Sequence, residues 1–155
     1  MPTIESAPAT ASLMLEQTRV IHARRALVYE AWTNPEVLQQ WFGAPAMHCP
    51  SAKLNVEVGG AYRIDVHSKP EAASRQALVT GHFTKIVPNE LLQFTWSASW
   101  SPDEESLVTV SLKDVPDGTE ITIRHERFAS EASRDAHNQG WAGAFDKLTS
   151  VAEHL

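Results

Sequence analysis

The end of the chain sets the terms for everything before it. His137, Trp141, Phe145, Leu148, Ala152 and Leu155 are spaced four, four, three, four and three residues apart, one apolar stripe at helical period. The spacing predicts a single long helix over residues 133–155, with Ser130 or Ser133 as N-cap and Asp135 near the positive end of its dipole. Such a face must be buried against another layer. What precedes it has period two: residues 52–58, 61–67, 76–87, 91–99, 107–113 and 119–127 read as strands separated by turn signals, the pattern of an antiparallel meander. Gly59-Gly60 predicts a two-residue hairpin, Pro88-Asn89, Ser101-Pro102-Asp103 and Pro116-Asp117-Gly118 predict the later turns, and residues 69–74 a looser loop. Gly140 and Gly143, beside Ala144, flank the helical stripe. Each costs roughly 0.5–1 kcal/mol inside a helix, for which close approach to another backbone is the expected compensation.

Ahead of the meander, residues 13–21 read as a first strand. Val28, Ala31 and Trp32 form the face of a short helix that begins near Arg24 and stops at Thr33-Asn34-Pro35. Asn34 caps a second helix with Pro35 in its first turn, Leu38, Trp41 and Phe42 on its apolar face, and Gly43 and Pro45 at its end. The order is strand, two short helices, six strands, long helix. Only the last helix is long enough to lie across the sheet, and a twisted sheet curving round a helix touches it along part of its length, so a space can remain between them. The expected fold class is α+β of helix-grip type: a curved antiparallel β-sheet wrapped around a long C-terminal helix, with two short helices after the first strand. At 155 residues, residues 1–12 are expected to be a flexible lead and residues 13–155 one domain.

On each strand, one face is set for the interior. Tyr62, Ile64 and Val66 share a face, as do Leu92, Phe94 and Trp96, and Thr119, Ile121, Ile123 and His125. With Trp41, Phe42, Phe83, His137, Trp141 and Phe145 they make an aromatic-rich interior with a few polar atoms, the composition of a small-molecule pocket. The same pattern also fits a solid core.

Charge and cysteine content narrow the function classes. Thirteen Lys and Arg against nineteen Asp and Glu leave a net charge of −6, the wrong sign for a nucleic-acid partner. Cys49 alone cannot form an internal disulfide, which fits a reducing compartment, and the first residues lack the basic and apolar regions of a secretory signal. No apolar run reaches the roughly 18 residues of a membrane span. A cytoplasmic location without membrane attachment is expected.

Several segments together resemble a known family. Trp32-Thr33-Asn34-Pro35, Trp41-Phe42-Gly43, Val58-Gly59-Gly60-Ala61-Tyr62-Arg63, the run from Gly81-His82-Phe83 to Gln93-Phe94-Thr95-Trp96, and His137-Asn138-Gln139-Gly140-Trp141 occur in this order. From about Thr18 to Leu155 the chain is similar to the START-like (SRPBCC) superfamily and, within it, to the group typified by the C-terminal domain of the activator of the 90-kDa heat-shock-protein ATPase. The resemblance implies the START-like (Bet v 1-like) helix-grip fold and a cavity between sheet and long helix. It supplies no universal catalytic triad. The small bacterial members look like stand-alone ligand-binding domains, whereas the eukaryotic activator carries a further N-terminal domain, so a chaperone partner ranks below a small apolar or aromatic molecule.

For catalysis the sequence offers little. There is no Gly-x-Ser-x-Gly elbow, phosphate-binding glycine loop or His-Glu-x-x-His helix, so no cofactor or metal is expected. His125 and His137 are the acid–base candidates, able to orient a polar ligand group or move a proton near neutral pH; histidines bonded to backbone or facing solvent are the alternative. Tyr62 could present its hydroxyl inside or at the rim. Arg63, Asp65 and His67, and likewise Arg124 and Glu126, have outward parity and read as solvated surface, as does the Asp103-Glu104-Glu105 cluster in its expected turn. Cys49, in an expected loop with Met47 and His48, reads as a small apolar residue. Three functions compete: binding of a small, largely apolar or aromatic ligand, a cyclase, isomerase or hydrolase type of enzyme in the same cavity, and a protein-interaction role like that of the ATPase activator. Edge strands and short apolar helices offer surfaces for a homodimer without specifying one.

Overall fold

The computed structural model describes residues 13–43, 47–68 and 76–155; the expected lead over residues 1–12, Pro45 and the loop over residues 69–74 lie outside the described residues. Strand β1 (Leu15–Ile21) leads into helices α1 (Arg25–Thr33) and α2 (Pro35–Leu38). Strands β2 (Met47–Leu54), β3 (Ala61–Ser68), β4 (Gln76–Val87), β5 (Leu91–Ala98), β6 (Ser101–Val115) and β7 (Gly118–Glu126) follow, and helix α3 (Glu131–Glu153) is the last element. The strands make one antiparallel sheet in the order β1-β7-β6-β5-β4-β3-β2. The two short helices thus carry the chain from one edge of the sheet to the other, and the meander returns until β7 pairs with β1. Register shifts between His48 and Ser51, between Phe83 and Lys85, and between Ser97 and Ala98 insert extra residues that bend the strands, and the sheet curls into a half-barrel.

Local chemistry explains the helix boundaries. Asn34 accepts from the Glu36 N–H through its side chain, and Pro35 occupies the first turn of α2, where no N–H is required. This helix is shorter than its apolar face suggests. Trp41 and Phe42 follow it in a turn held by the Leu38 carbonyl. Ser130 rather than Ser133 caps α3, its hydroxyl accepting from the Ser133 N–H at 3.1 Å.

Three local expectations are overturned. Strand β2 begins at Met47 and ends at Leu54, so Met47, His48 and Cys49 are in a strand rather than a loop, and Val58 is exposed on a turn. Gly59-Gly60 does not make a two-residue hairpin: the link from β2 to β3 spans residues 55–60, and both glycines bond to Phe83 on β4, Gly59 N–H to its carbonyl and Gly60 carbonyl to its N–H. Gly59 has φ +86°, and a Cβ on Gly60 would strike the Asn55 carbonyl, so glycine is needed there for a wider turn than expected. The turn at Ser101-Pro102-Asp103 lies two residues earlier, at Ser99 and Trp100, and β6 starts at Ser101. Between Ala98 paired with Ser101 and Ser97 paired with Glu105, residues 102–104 bulge out of the ladder, which is where a proline is tolerated in a strand.

The inward sets are where period two put them. Tyr62, Ile64, Val66, Leu92, Phe94, Trp96, Thr119, Ile121, Ile123 and His125 are all buried. Helix α3 is tied to one edge of the sheet along its length. Gln17 donates to the carbonyl and side chain of Asn138 at 2.8 and 2.7 Å, Arg19 pairs with Asp146 at 2.7 Å, and the Glu153 carboxylate accepts from the His22 N–H at 2.9 Å. Anchored along β1, the helix meets a sheet that curves away from it.

Candidate functional site

That divergence leaves a hollow of about 430 Å³. Helix α3 contributes Ala136, His137, Gly140, Trp141 and Ala144; the sheet contributes Met47, Val66, Val79 and Trp96; Phe42 and Gly43 close one side and Trp100 another. Trp100, 52% exposed, and the exposed Ala136 place the mouth at the N-terminal end of α3. Gly140 does not compensate its helical cost by close packing. A Cβ built on it meets nothing within 4 Å, so the small residues on this face widen the space instead.

Phe42, Val66, Trp96, His137 and Trp141 therefore come together on the wall. Tyr62, Ile64, Phe83 and Phe94 do not. They surround a separate void of about 20 Å³, with room for one water molecule, on the far side of Phe42. The Tyr62 hydroxyl donates to the Thr95 carbonyl, and burial raises its pKa, so the phenol stays protonated. Trp41, Ile123, His125 and Phe145 are buried in the surrounding core, outside the lining of both spaces. The aromatic rings form a connected wall and backing: Phe42 to Trp96 is 5.9 Å between centroids, Trp96 to Trp141 5.4 Å, and Trp32 to Trp41 4.7 Å.

His125 sits behind this wall with both nitrogens committed. Trp141 Nε1 donates to His125 Nδ1 at 3.0 Å, so in the neutral ring Nε2 carries the proton and donates to Ser106 Oγ at 2.7 Å; Ser106 in turn donates to the Trp96 carbonyl. This chain positions two tryptophans of the wall from the inside. Burial first, and the neighbouring His137 second, hold the His125 pKa well below its ordinary value. Arg127, at φ 72°, turns the chain after β7 so that Phe128 packs on His125 at 4.3 Å and on His137 at 5.0 Å.

His137 is placed differently. Its Nδ1 bonds to the Ser133 carbonyl at 2.8 Å, while Nε2 is buried without a partner among the described residues, as are Trp96 Nε1 on the same wall and Trp32 Nε1 at the smaller void. Chemically, the hollow can surround a small apolar body and meet it with very few polar atoms. No Lys, Arg, Asp or Glu lines it among the described residues.

The remaining candidates fall on the outside or in the core. Arg63 lies 3.7 Å from Asp65 and Arg124 3.6 Å from Glu126, across the strand faces turned away from the helix. No cluster of three or more metal-ligating side chains exists among the described residues. Cys49 is buried, and burial pushes its thiol up to about 11. Glu104 is not a solvated turn residue. Its carboxylate accepts from the Ala129 N–H and from Ser133 Oγ, fastening the bulge of β6 to the first turn of α3.

Sequence reasoning missed Gly43, Met47, Val79, Trp100, Ala136, Gly140 and Ala144 as wall residues. Val79 has the same inward parity as Phe83 and was open to detection. Trp100 is a lone apolar residue in a turn, without a periodic signal. No helix among the described residues is long and apolar enough to cross a membrane.

Residues 22–153 match the family model described as activator of Hsp90 ATPase homolog 1-like protein. Comparison with curated proteins gives no match. Among solved structures, a protein from Rhodobacter sphaeroides is similar with TM-score 0.79 and 23% identity, over 93% of this chain and 95% of that one. One from Nitrosomonas europaea is similar with TM-score 0.77 and 20% identity, over 93% and 96%. The AHSA1-like protein from Aeromonas hydrophila, a solution structure, gives TM-score 0.74 and 21% identity, over 91% and 92%.

Proposed function

The chain belongs to the activator of Hsp90 ATPase homolog 1-like family, and from that premise we propose that it binds a small, largely apolar or aromatic molecule between the curled sheet and α3. The observation that carries the reading is the hollow of about 430 Å³ with walls of Phe42, Met47, Val66, Val79, Trp96 and Trp141. Its size is at the lower end of the 300–1,000 Å³ range of small-molecule sites and about three times a cavity that accepts benzene. A body of one or two fused rings suits it.

Naphthalene is a suitable first probe. A ligand that binds only the native state stabilises it by RT ln(1 + [L]/Kd), about 2.7 kcal/mol at one hundred times Kd. The expected result is a melting temperature that rises with naphthalene concentration. A flat response up to its solubility limit, repeated with other apolar ring compounds, would defeat the reading.

The same space supports a second reading as an acid–base enzyme. With both His125 nitrogens committed, that reading rests on His137, whose Nε2 is unpartnered. It predicts turnover abolished in His137→Asn with the fold retained; turnover that survives removes the proposed base.

A further inference from the structure

Two rings on the wall of the hollow carry polar atoms without partners among the described residues: Trp96 Nε1, a donor, and His137 Nε2. The other nitrogen of His137 fixes the role of the second atom. Nδ1 lies 2.8 Å from the Ser133 carbonyl, which can only accept, so Nδ1 carries the proton and Nε2 of the neutral ring is an acceptor. The ring centroids are 6.1 Å apart. The two rings are thus neighbours, and a single oxygen that bonds both nitrogens, at about 2.9 Å from each, must accept from one and donate to the other.

Few groups do both on a single atom. A hydroxyl does. A carboxylate has no donor, an ammonium no acceptor, and a ketone or ether oxygen would satisfy the indole N–H while leaving the imidazole unpaired. Water has the required pair of functions, and a ligand hydroxyl that displaces it keeps both bonds. The indole N–H of Trp141 is already given to His125, the exposed Trp100 at the mouth adds one further indole donor, and the rest of the lining is hydrocarbon, thioether or backbone, without an ionised side chain among the described residues. A charged ligand would lose its hydration there without a counter-ion.

We infer that the ligand is a neutral alcohol or phenol on an apolar, ring-containing body, its hydroxyl bridging Trp96 Nε1 and His137 Nε2; the inference rests on reading the hollow as the ligand site. Both nitrogens are covered by neighbouring atoms, so the hydroxyl seats as the two side chains adjust their torsions. The open space beside Gly140, three residues on from His137, leaves room for that adjustment.

The test compares 2-naphthol, naphthalene and 2-naphthoate by titration calorimetry on the full chain. 2-Naphthol is expected to bind at least about tenfold more tightly than naphthalene, and 2-naphthoate the most weakly. In both His137→Phe and Trp96→Phe the preference for the naphthol should fall to about threefold or less while naphthalene still binds. Using two variants guards against one failing to fold. Three results overturn the hydroxyl assignment and leave the hollow as a ligand site: a naphthol no tighter than naphthalene, a naphthoate tightest of the three, or a preference that persists in both variants. No binding of any probe to the wild type overturns both.

Discussion

At His125 the fold depends on an uncharged imidazole. Nδ1 accepts from Trp141 and Nε2 donates to Ser106, so a second ring proton has no acceptor, and burial adds the cost of desolvating the charge. The unfolded residue titrates near 6.5 and the folded one well below it. Between those values the unfolded chain binds more protons, so stability is full above about pH 6.5 and falls as pH drops through the window, by up to about 1.4 kcal/mol per pH unit from this group. Urea unfolding of the wild type and of His125→Gln, whose amide can also accept and donate, at pH 7.5, 6.5 and 5.5 measures it. The variant should show the shallower slope below pH 6.5. Equal slopes would mean that the buried ring is not the titrating group. The period-two parity of β7 was enough to place His125 inside. Its isolation from the hollow was not legible, because it depends on Trp141 and Ser106, which reach it from the C-terminal helix and from the neighbouring strand β6.

At the scale of elements, what holds the first turn of α3 is partly a strand. Helices leave their first N–H groups unpaired, and here Ser130 satisfies one through its hydroxyl while Glu104, from the β6 bulge, takes the Ala129 N–H and Ser133 Oγ. The carboxylate also sits at the positive end of the helix dipole. Glu104→Ala should cost about 1–2 kcal/mol in chemical denaturation, against less than about 0.5 kcal/mol for the exposed neighbour Glu105→Ala. If the two variants are equally stable, the contact contributes nothing. Strands with one buried face, such as β3, β5 and β7, were readable because parity alone separates inside from outside. The start of β2 was not: Met47-His48-Cys49-Pro50 has no alternation, and the bulge between His48 and Ser51 shifts its register. The β6 bulge was hidden in the same way, since Ser101-Pro102-Asp103 carries turn chemistry whether it turns or bulges.

Across the whole molecule, the hollow follows from anchoring a long helix along one edge of a curved sheet and placing small side chains where the two diverge. Large wall residues such as Val66, Trp96, His137 and Trp141 were legible because they point inward. The space itself was not, because a sequence registers a cavity only as small residues, and Gly140 beside Ala144 reads equally well as tight packing. Two substitutions at one position separate those meanings. With nothing within 4 Å of a Cβ at Gly140, Gly140→Ala should stabilise the protein by about 0.5–1 kcal/mol through helix propensity, a rise of roughly 1–4 °C in Tm, and leave naphthalene binding in place. Gly140→Leu gains similar propensity and fills part of the space, so its Tm should rise at least as far while the further rise produced by naphthalene disappears. Stability gained together with binding lost is what a functional cavity predicts. A destabilised Gly140→Ala would mean that the helix packs tightly there after all, and a Gly140→Leu that still responds to naphthalene would move the ligand elsewhere in the molecule.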